Sequence, residues 1–316
     1  MDQAATILAA EADQVLIAVN PRAGRRSMGG RVDRLVEVLG QHGLKPVVCS
    51  ELDRICPQAN RLHALGRLRA LVGVGGDGTA AALVNRTDPG VPITLLPAGT
   101  ANLLAKQFGL PEDPEKLGAM IKAGAALRLD AGLAAGRVFL SMIGCGFDAE
   151  VVERVHAFRQ GHKSGHINYL SYLKPILQAI RSYRYPEIQI YCDEACETAA
   201  DRTSPILARW VFACNLPRYG WGLPLAPAAV ATDGLLDLCV FTQGSLWHGL
   251  RYVMLTQLGC HQALADCVVR RVRRFRMTAE SPVAYQLDGD PGGHLPLDVE
   301  VLPGRLTLVV PSSPSI

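Results

Sequence analysis

The sequence predicts two domains: an α/β domain on a doubly wound parallel sheet, then an antiparallel β-sandwich. Three observations predict it. In the first part of the chain, short uninterrupted apolar runs alternate with stretches of helical period, the pattern of parallel strands covered on both faces. Beyond Leu129 the texture changes to short strand-like runs with turn residues between them. Finally, 316 residues, 49% hydrophobic and 19% charged, suffice to fill two cores. The expected domains are 1–129 and 130–304, with a last strand at 305–311 able to pack with either.

Residues 1–13 read as a short alanine-rich helix or a frayed end. Val15–Val19 (VLIAV) is a strand buried on both faces. A loop, Asn20–Ser27, leads into a helix with Val32, Leu35, Val36 and Leu39 on one face and Gly40 and Gly43 near its end. Lys45–Cys49 is the second strand, Ile55–Leu68 a helix, and Leu68–Gly75 the third strand. Gly76–Thr87 is a loop running into a helix, Val91–Pro97 the fourth strand, and Gly99–Leu110 opens a helix that stops before Pro111. Pro114–Gly124 is a further helix. In the second domain the strand-like runs are VFLSMIG, EIQIYC, ARWVFACN, LLDLCVFT, FRMTA, VAYQLDGD, LDVEVL and RLTLVV, with a helical insert at about 154–184.

Composition narrows the function classes. A net charge of +3 does not argue for nucleic acid. The longest stretch without a charged residue, Pro89–Ala105, holds three prolines and two glycines, so it is no bilayer span. The start of the chain carries Asp2, Glu11 and Asp13 without a basic segment, so no signal peptide is expected and a cytoplasmic protein is. The nine cysteines lack a C-x-x-C pair and mostly sit in apolar runs, as reduced core residues do.

In a doubly wound sheet, ligands bind at the carboxyl ends of the strands, and three unusual loops fall on that edge. The first is Gly73-Val74-Gly75-Gly76-Asp77-Gly78-Thr79. Its glycines let backbone N–H groups approach phosphate oxygens, and the following helix offers its N-terminus to the same anion, with Thr79 as a cap. Asp77 beside a phosphate cradle would repel it unless a divalent cation lies between, so Asp77 reads as a ligand of nucleotide-bound Mg²⁺. The plain alternative is a tight glycine turn with a capped helix. The second loop, Asn20-Pro21-Arg22-Ala23-Gly24-Arg25-Arg26-Ser27, offers guanidinium forks suited to phosphate, or else solvated arginines. In the third, Gly99-Thr100-Ala101-Asn102, Thr100 and Asn102 either bind phosphate or ribose or simply cap a helix.

Together N-P-x-x-G, G-G-D-G-T and P-x-G-T-x-N, in this order and at these intervals, resemble the catalytic domain of the diacylglycerol kinase family, with its bacterial lipid kinases and sphingosine-kinase-like enzymes. G-G-D-G-T alone is shared with NAD kinases, which also carry an N-E dipeptide. None of Asn20, Asn60, Asn85, Asn102, Asn168 and Asn215 precedes a glutamate. The resemblance implies ATP on the Rossmann-like N-terminal domain, held by Asn20, Pro21, Gly24, Arg25, Arg26, Gly75, Gly76, Gly78, Thr79, Gly99, Thr100 and Asn102. It implies a lipid alcohol on the β domain, γ-phosphoryl transfer to its hydroxyl, and transient contact with the inner face of a membrane.

Val230–Asp237 (VATDGLLD) is similar to the family's D-G-x-L-D segment, which implies a second, structural Mg²⁺ held by Asp233 and the carbonyls of Val230 and Leu235, with Asp130 near that network. Leu287-Asp288-Gly289-Asp290 aligns with the family's D-G-E, whose third residue is the general base. Here it is Asp290, one methylene shorter. Asp290 then deprotonates the lipid hydroxyl, Asp77 takes over that role, or the chain is a lipid- or nucleotide-binding regulator that kept the fold. On this reading Asp77→Asn removes turnover and leaves the melting temperature nearly unchanged. The cluster Arg270, Arg271, Arg273, Arg274 and Arg276 reads either as a membrane contact or as a charged edge strand. The identity of the lipid and the oligomeric state, a homodimer among the options, are left open.

Overall fold

A computed structural model of the chain describes residues 5–19, 27–161, 179–192, 204–220 and 222–312, with only the backbone at 27–28 and 159–161. The chain separates into two compact units, 1–131 with 302–316, and 132–301.

In the first unit the parallel strands β2 (Gln14–Val19), β3 (Lys45–Cys49), β4 (Leu68–Gly75) and β5 (Pro92–Pro97) lie in the order β5-β4-β2-β3. Every residue of β4 and β5 is buried, which is why they read as unbroken apolar runs. Between them run α1 (Ser27–Gln41), α2 (Leu52–Ala64) and α3 (Asp77–Val84), then α4 (Leu103–Gln107) and α5 (Pro114–Ala123). Asp113 caps α5 and Pro114 opens it. The N-terminus differs from expectation: Thr6–Ile7 forms a short strand, β1, antiparallel to Ala125–Ala126 of β6 (Ala125–Ala134). Arg69, on β4, ties it down by donating to the carbonyls of Leu8 and Ala9.

The second unit contains β7 (Arg137–Phe139), β8 (Met142–Gly146), α6 (Phe147–Gly161), β9 (Ile188–Cys192), β10 (Ile206–Ala208), β11 (Trp210–Cys214), β12 (Leu236–Phe241), α7 (Leu246–Gln257), β13 (Cys267–Val272), β14 (Arg274–Thr278), β15 (Ala284–Leu287) and β16 (Asp290–His294). The strand β17 (Leu297–Val309) begins here and ends in the first unit, where Thr307 and Leu308 pair with β5. The expected separate strands LDVEVL and RLTLVV are therefore one. Gly304 passes through the junction with φ +59, and its N–H is accepted by Asp130 Oδ1 at 2.7 Å.

One sheet runs β13-β12-β11-β8-β15-β16; β10, β9, β14 and the start of β17 form the other. Ile188, Ile190, Phe275, Met277 and Val299 from the second meet Ile143, Cys145, Val211, Leu238 and Leu287 from the first in one apolar core, two residues apart along each strand. The chain is thus an α/β domain with a β-sandwich domain. The alternate residues of the six-stranded sheet, Met142, Trp210, Phe212, Cys214, Cys239 and Phe241, face outward into a second apolar cluster that includes Tyr252 of α7. Covered on both sides, β11 and β12 are buried at every residue.

The arginine cluster is also corrected. β14 pairs with both β9 and β17, so of the two strands that carry the cluster β13 alone lies at a sheet edge. Arg271, Arg274 and Arg276 are engaged by Asp233, Glu300 and Asp298. A helix begins at Phe147, before the 154 expected for the insert, and residues 162–178 of the expected range lie outside the described residues. Among the described residues no helix is long and apolar enough to cross a membrane.

Candidate functional site

The glycine loop follows β4 and turns into α3 at Gly76, the N-cap residue. Thr79 is not the cap: it sits one turn inside the helix, buried, with its hydroxyl folded over Gly75. A Cβ on Gly75 would stand 2.1 Å from that oxygen, so this position admits only glycine. The third loop lies against the first. A Cβ at Gly99 would be 2.7 Å from Gly76 Cα, so the two backbones touch where both residues lack side chains. Asn102, in the left-handed region at φ 50, folds its amide back on its own loop: Oδ1 accepts from Gly99 N and Nδ2 donates to Gly99 O, each at 3.0 Å. Asn102 is buried, so its amide shapes the loop, whereas Gly99 and Thr100 are exposed.

Asp77 joins the two loops. Its Oδ2 accepts from Leu103 N at 2.9 Å and its Oδ1 from Leu104 N at 3.0 Å. These are the first amides of α4, whose N-cap Asn102 gives no side-chain bond. The carboxylate of one loop thus caps the helix that leaves the other. Each oxygen keeps a further lone pair, so Asp77 still fits a Mg²⁺ held chiefly by nucleotide phosphates. Sequence reasoning missed Arg31: its Nη1 donates to Pro97 O at 3.2 Å, which ties the start of α1 to the entry of the third loop. Asn20, Pro21, Gly24, Arg25 and Arg26 lie outside the described residues.

In the second unit, Asp288 and Gly289 form the two-residue turn of the β15–β16 hairpin, with φ values of 52° and 88°, as a type I′ turn needs. Asp288 is the structural acid. Its carboxylate accepts from Leu140 N (2.7 Å), Ser141 N (2.8 Å) and Met142 N (3.0 Å). Gln286 Oε1 accepts from Gly289 N at 2.7 Å. Asp290 follows the turn and is exposed. The turn that presents it is therefore fixed from both sides.

The expected structural cation at Asp233 does not fit the arrangement. Asp233 Oδ1 accepts from Leu235 N at 3.0 Å, and its other oxygen is ion-paired with Arg271. The carbonyl of Val230 accepts from Thr232 N and from Asp233 N. A guanidinium already supplies the positive charge that the metal would bring. Among the described residues no group of three or more His, Cys, Asp or Glu side chains could hold a metal. His261, beside Cys260, is a core residue whose Nε2 meets Leu225 O at 2.8 Å.

The outer apolar cluster encloses a cavity of about 310 Å³ between the six-stranded sheet (Trp210, Phe212, Phe241), α6 (Phe147, Val151) and α7 (Gly249, Tyr252, Thr256). Among the described residues one acid, Asp148, reaches it. Tyr219 donates to its Oδ1, and Gln286 Nε2 to its Oδ2 at 3.1 Å. Burial raises its pKa, and the two hydrogen bonds offset part of that rise. Gly144 makes room for the pair, since a Cβ there would lie 2.7 Å from both Asp148 Oδ2 and Gln286 Nε2. Tyr185, also in the wall, has a buried hydroxyl without a hydrogen-bond partner among the described residues. Sequence reasoning missed Asp148; the signal was an acid placed directly after the apolar run MIGCGF.

The chain matches the diacylglycerol kinase catalytic domain over residues 14–134 and the YegS C-terminal NAD kinase β-sandwich-like domain over residues 141–310. A diacylglycerol kinase of Mycobacterium tuberculosis is 27% identical over 249 residues, 77% of each chain. One of Bacillus subtilis is 25% identical over 300 residues, 93% of this chain and 95% of the relative. In fold, the chain is similar to a diacylglycerol kinase from Bacillus anthracis (TM-score 0.66, 17% identity, 94% of this chain and 97% of the other). It is more distantly similar to an NAD kinase from Archaeoglobus fulgidus (TM-score 0.52, 12% identity, 94% and 93% covered). Two glycine loops in backbone contact, an acid-bearing hairpin and a β-sandwich thus coincide with matches over nearly the whole sequence, and the chain belongs to the diacylglycerol kinase catalytic-domain family.

Proposed function

We propose that the chain is an ATP-dependent lipid kinase that transfers the γ-phosphoryl of ATP to the hydroxyl of a lipid alcohol such as diacylglycerol. The observation that carries this reading is the cavity of the second unit, walled by aromatic and aliphatic side chains and reached, among the described residues, by one half-buried acid. Such a lining suits an aliphatic chain rather than a dinucleotide, and it favours a lipid over NAD as acceptor.

Phosphoryl transfer is mostly positioning and charge neutralisation. The N–H groups around Gly76–Gly78 and at Thr100 bind phosphate oxygens, and the contact between Gly76 and Gly99 keeps both loops aligned. Mg²⁺, when bound with the nucleotide beside Asp77, neutralises charge on the phosphates. Asp290 accepts the proton of the attacking hydroxyl, from a hairpin whose turn is locked by Asp288. The shorter side chain of an aspartate is acceptable only if the backbone beneath it is fixed, and here it is.

The test is ATP consumption with Mg²⁺ against lipid alcohols in mixed micelles and against NAD. Lipid-dependent turnover lost in Asp290→Asn and retained in Asp290→Glu is the expected result. ATP binding with no turnover on any acceptor, in wild type and in Asp290→Glu, overturns the kinase reading in favour of a binding protein.

A further inference from the structure

We propose that α7 is a membrane-docking helix for an anionic bilayer and that the cavity of the second unit opens beside it, so that the lipid enters along this helix without crossing water. The entry route rests on the lipid-alcohol reading above; the docking face stands on the helix itself.

A helix on a water-facing surface turns its apolar stripe inward and its polar side outward. In α7 the outward side is apolar. Trp247 is 78% exposed, Leu250 53%, Val253 54%, Met254 58% and, just past the end, Leu258 66%. At three- and four-residue spacings these side chains share one face. Exposed apolar residues are ordinary when scattered, but a contiguous set marks an interaction surface. The helix cannot rotate to bury them. Its opposite face carries Gly249, Tyr252 and Thr256, all buried, and a Cβ on Gly249 would lie 2.8 Å from the Trp210 ring. Tyr252 Oη donates to Asp266 Oδ2 at 2.7 Å, Arg251 donates to the same oxygen at 3.0 Å, and Ser245 caps the first turn.

Charge and continuity select a bilayer as the partner. No Asp or Glu occurs from Gly244 to Ala265, and Arg251, the cation of this stretch, offsets the charge of Asp266, so nothing there repels phosphate headgroups. Tryptophan prefers the interfacial layer of a bilayer. Leu250 and Val253 belong both to the exposed face and to the cavity wall, so the rim of the cavity is part of the docking face. A helix lying in the interface with this face down would place that rim among acyl chains.

The experiment is flotation of the full chain with vesicles of phosphatidylcholine containing about 30% phosphatidylglycerol, an anionic surface of the kind basic segments bind. The comparison is the triple variant Trp247→Ser, Met254→Ser, Leu258→Ser, none of which lines the cavity. The wild type is expected to float, and the variant's partition to fall at least about tenfold. Its melting temperature and its phosphorylation of a water-soluble short-chain diacylglycerol should stay at wild-type levels, while phosphorylation of long-chain diacylglycerol in vesicles falls with binding. Equal flotation of variant and wild type overturns the proposal. So does a wild type that does not float, or one that is a dimer by light scattering and is dissociated by the triple variant. Absence of short-chain phosphorylation in the wild type counts against the kinase reading alone, because flotation is scored without turnover.

Discussion

Asp77→Asn tests whether the acid of the glycine loop is also a structural element. From sequence alone the substitution is expected to cost turnover and no stability. The geometry reverses the second half. Both carboxylate oxygens accept backbone N–H bonds, from Leu103 at 2.9 Å and Leu104 at 3.0 Å. Asparagine keeps one acceptor and turns its NH₂ toward the other amide, donor against donor. A hydrogen bond to a charged group contributes about 1.5–3 kcal/mol when buried, and partial exposure brings it to the lower end. Loss of a helix cap costs about 1 kcal/mol. We expect Asp77→Asn to lose about 1–2 kcal/mol, and Asp77→Ala, which removes both acceptors, roughly twice that. For units of this size each kcal/mol lowers the melting temperature by about 2–4 °C. Calorimetry on nucleotide-free protein reads this directly, apart from any effect on ATP or Mg²⁺. A melting temperature for Asp77→Asn within about 1 °C of wild type would refute the capping argument, whatever happens to turnover.

Gly99→Ala should cost about 1–3 kcal/mol and weaken ATP binding, because its Cβ would meet Gly76 Cα at 2.7 Å; Gly78→Ala, with nothing within 4 Å, should not destabilise, and equal melting temperatures for the two would sink the loop-contact argument. Asp148 has a folded pKa raised above its ordinary value of 3.8 by burial, so the folded state binds the proton more tightly and stability falls as pH rises from about 3.8 to the raised value. Denaturant titrations should show this slope in the wild type and lose it in Asp148→Asn; parallel profiles would count against the buried acid. Stripping divalent cations from nucleotide-free protein should leave the melting temperature unchanged, since Arg271 supplies the positive charge at Asp233; a drop reversed by Mg²⁺ would show that a metal holds that segment after all.

The first unit was legible because its strands are buried on both faces. Such strands print as apolar runs, and β2, β4 and β5, with buried interiors, come within a residue of the expected ranges. The second unit was less so. α7 was not foreseen, although Ser245 stands before it as a cap. Its apolar residues lie on both sides, one set against the sheet and one exposed, so no helical period emerges from LWHGLRYVMLTQL. β17 was divided at Pro303-Gly304 because that pair usually breaks a strand. What carries the chain through is the carboxylate of Asp130 on Gly304 N, a contact between residues far apart in sequence. Asp148 was missed for a related reason: its partners, Tyr219 and Gln286, come from distant segments.

Among the acids that the glycine-rich motifs single out, the structure separates four that hold backbone amides from one, Asp290, that is exposed. Asp77 holds the first amides of α4, Asp288 holds the amides of Leu140, Ser141 and Met142, and Asp130 holds Gly304 N. Asp233 holds Leu235 N and Arg271. A carboxylate whose oxygens accept backbone N–H bonds fixes a loop well, but those bonds hold it in place and leave it little freedom to swing toward an incoming hydroxyl. Asp290 is the exception: it is exposed, and it stands one residue beyond a turn locked by its neighbour. Under the proposed function, this difference favours Asp290 over Asp77 as the base. On that proposal the two acids of the D-G-D hairpin divide the work: Asp288 makes the turn rigid, and Asp290 would use that rigidity to act with a side chain one methylene shorter than glutamate.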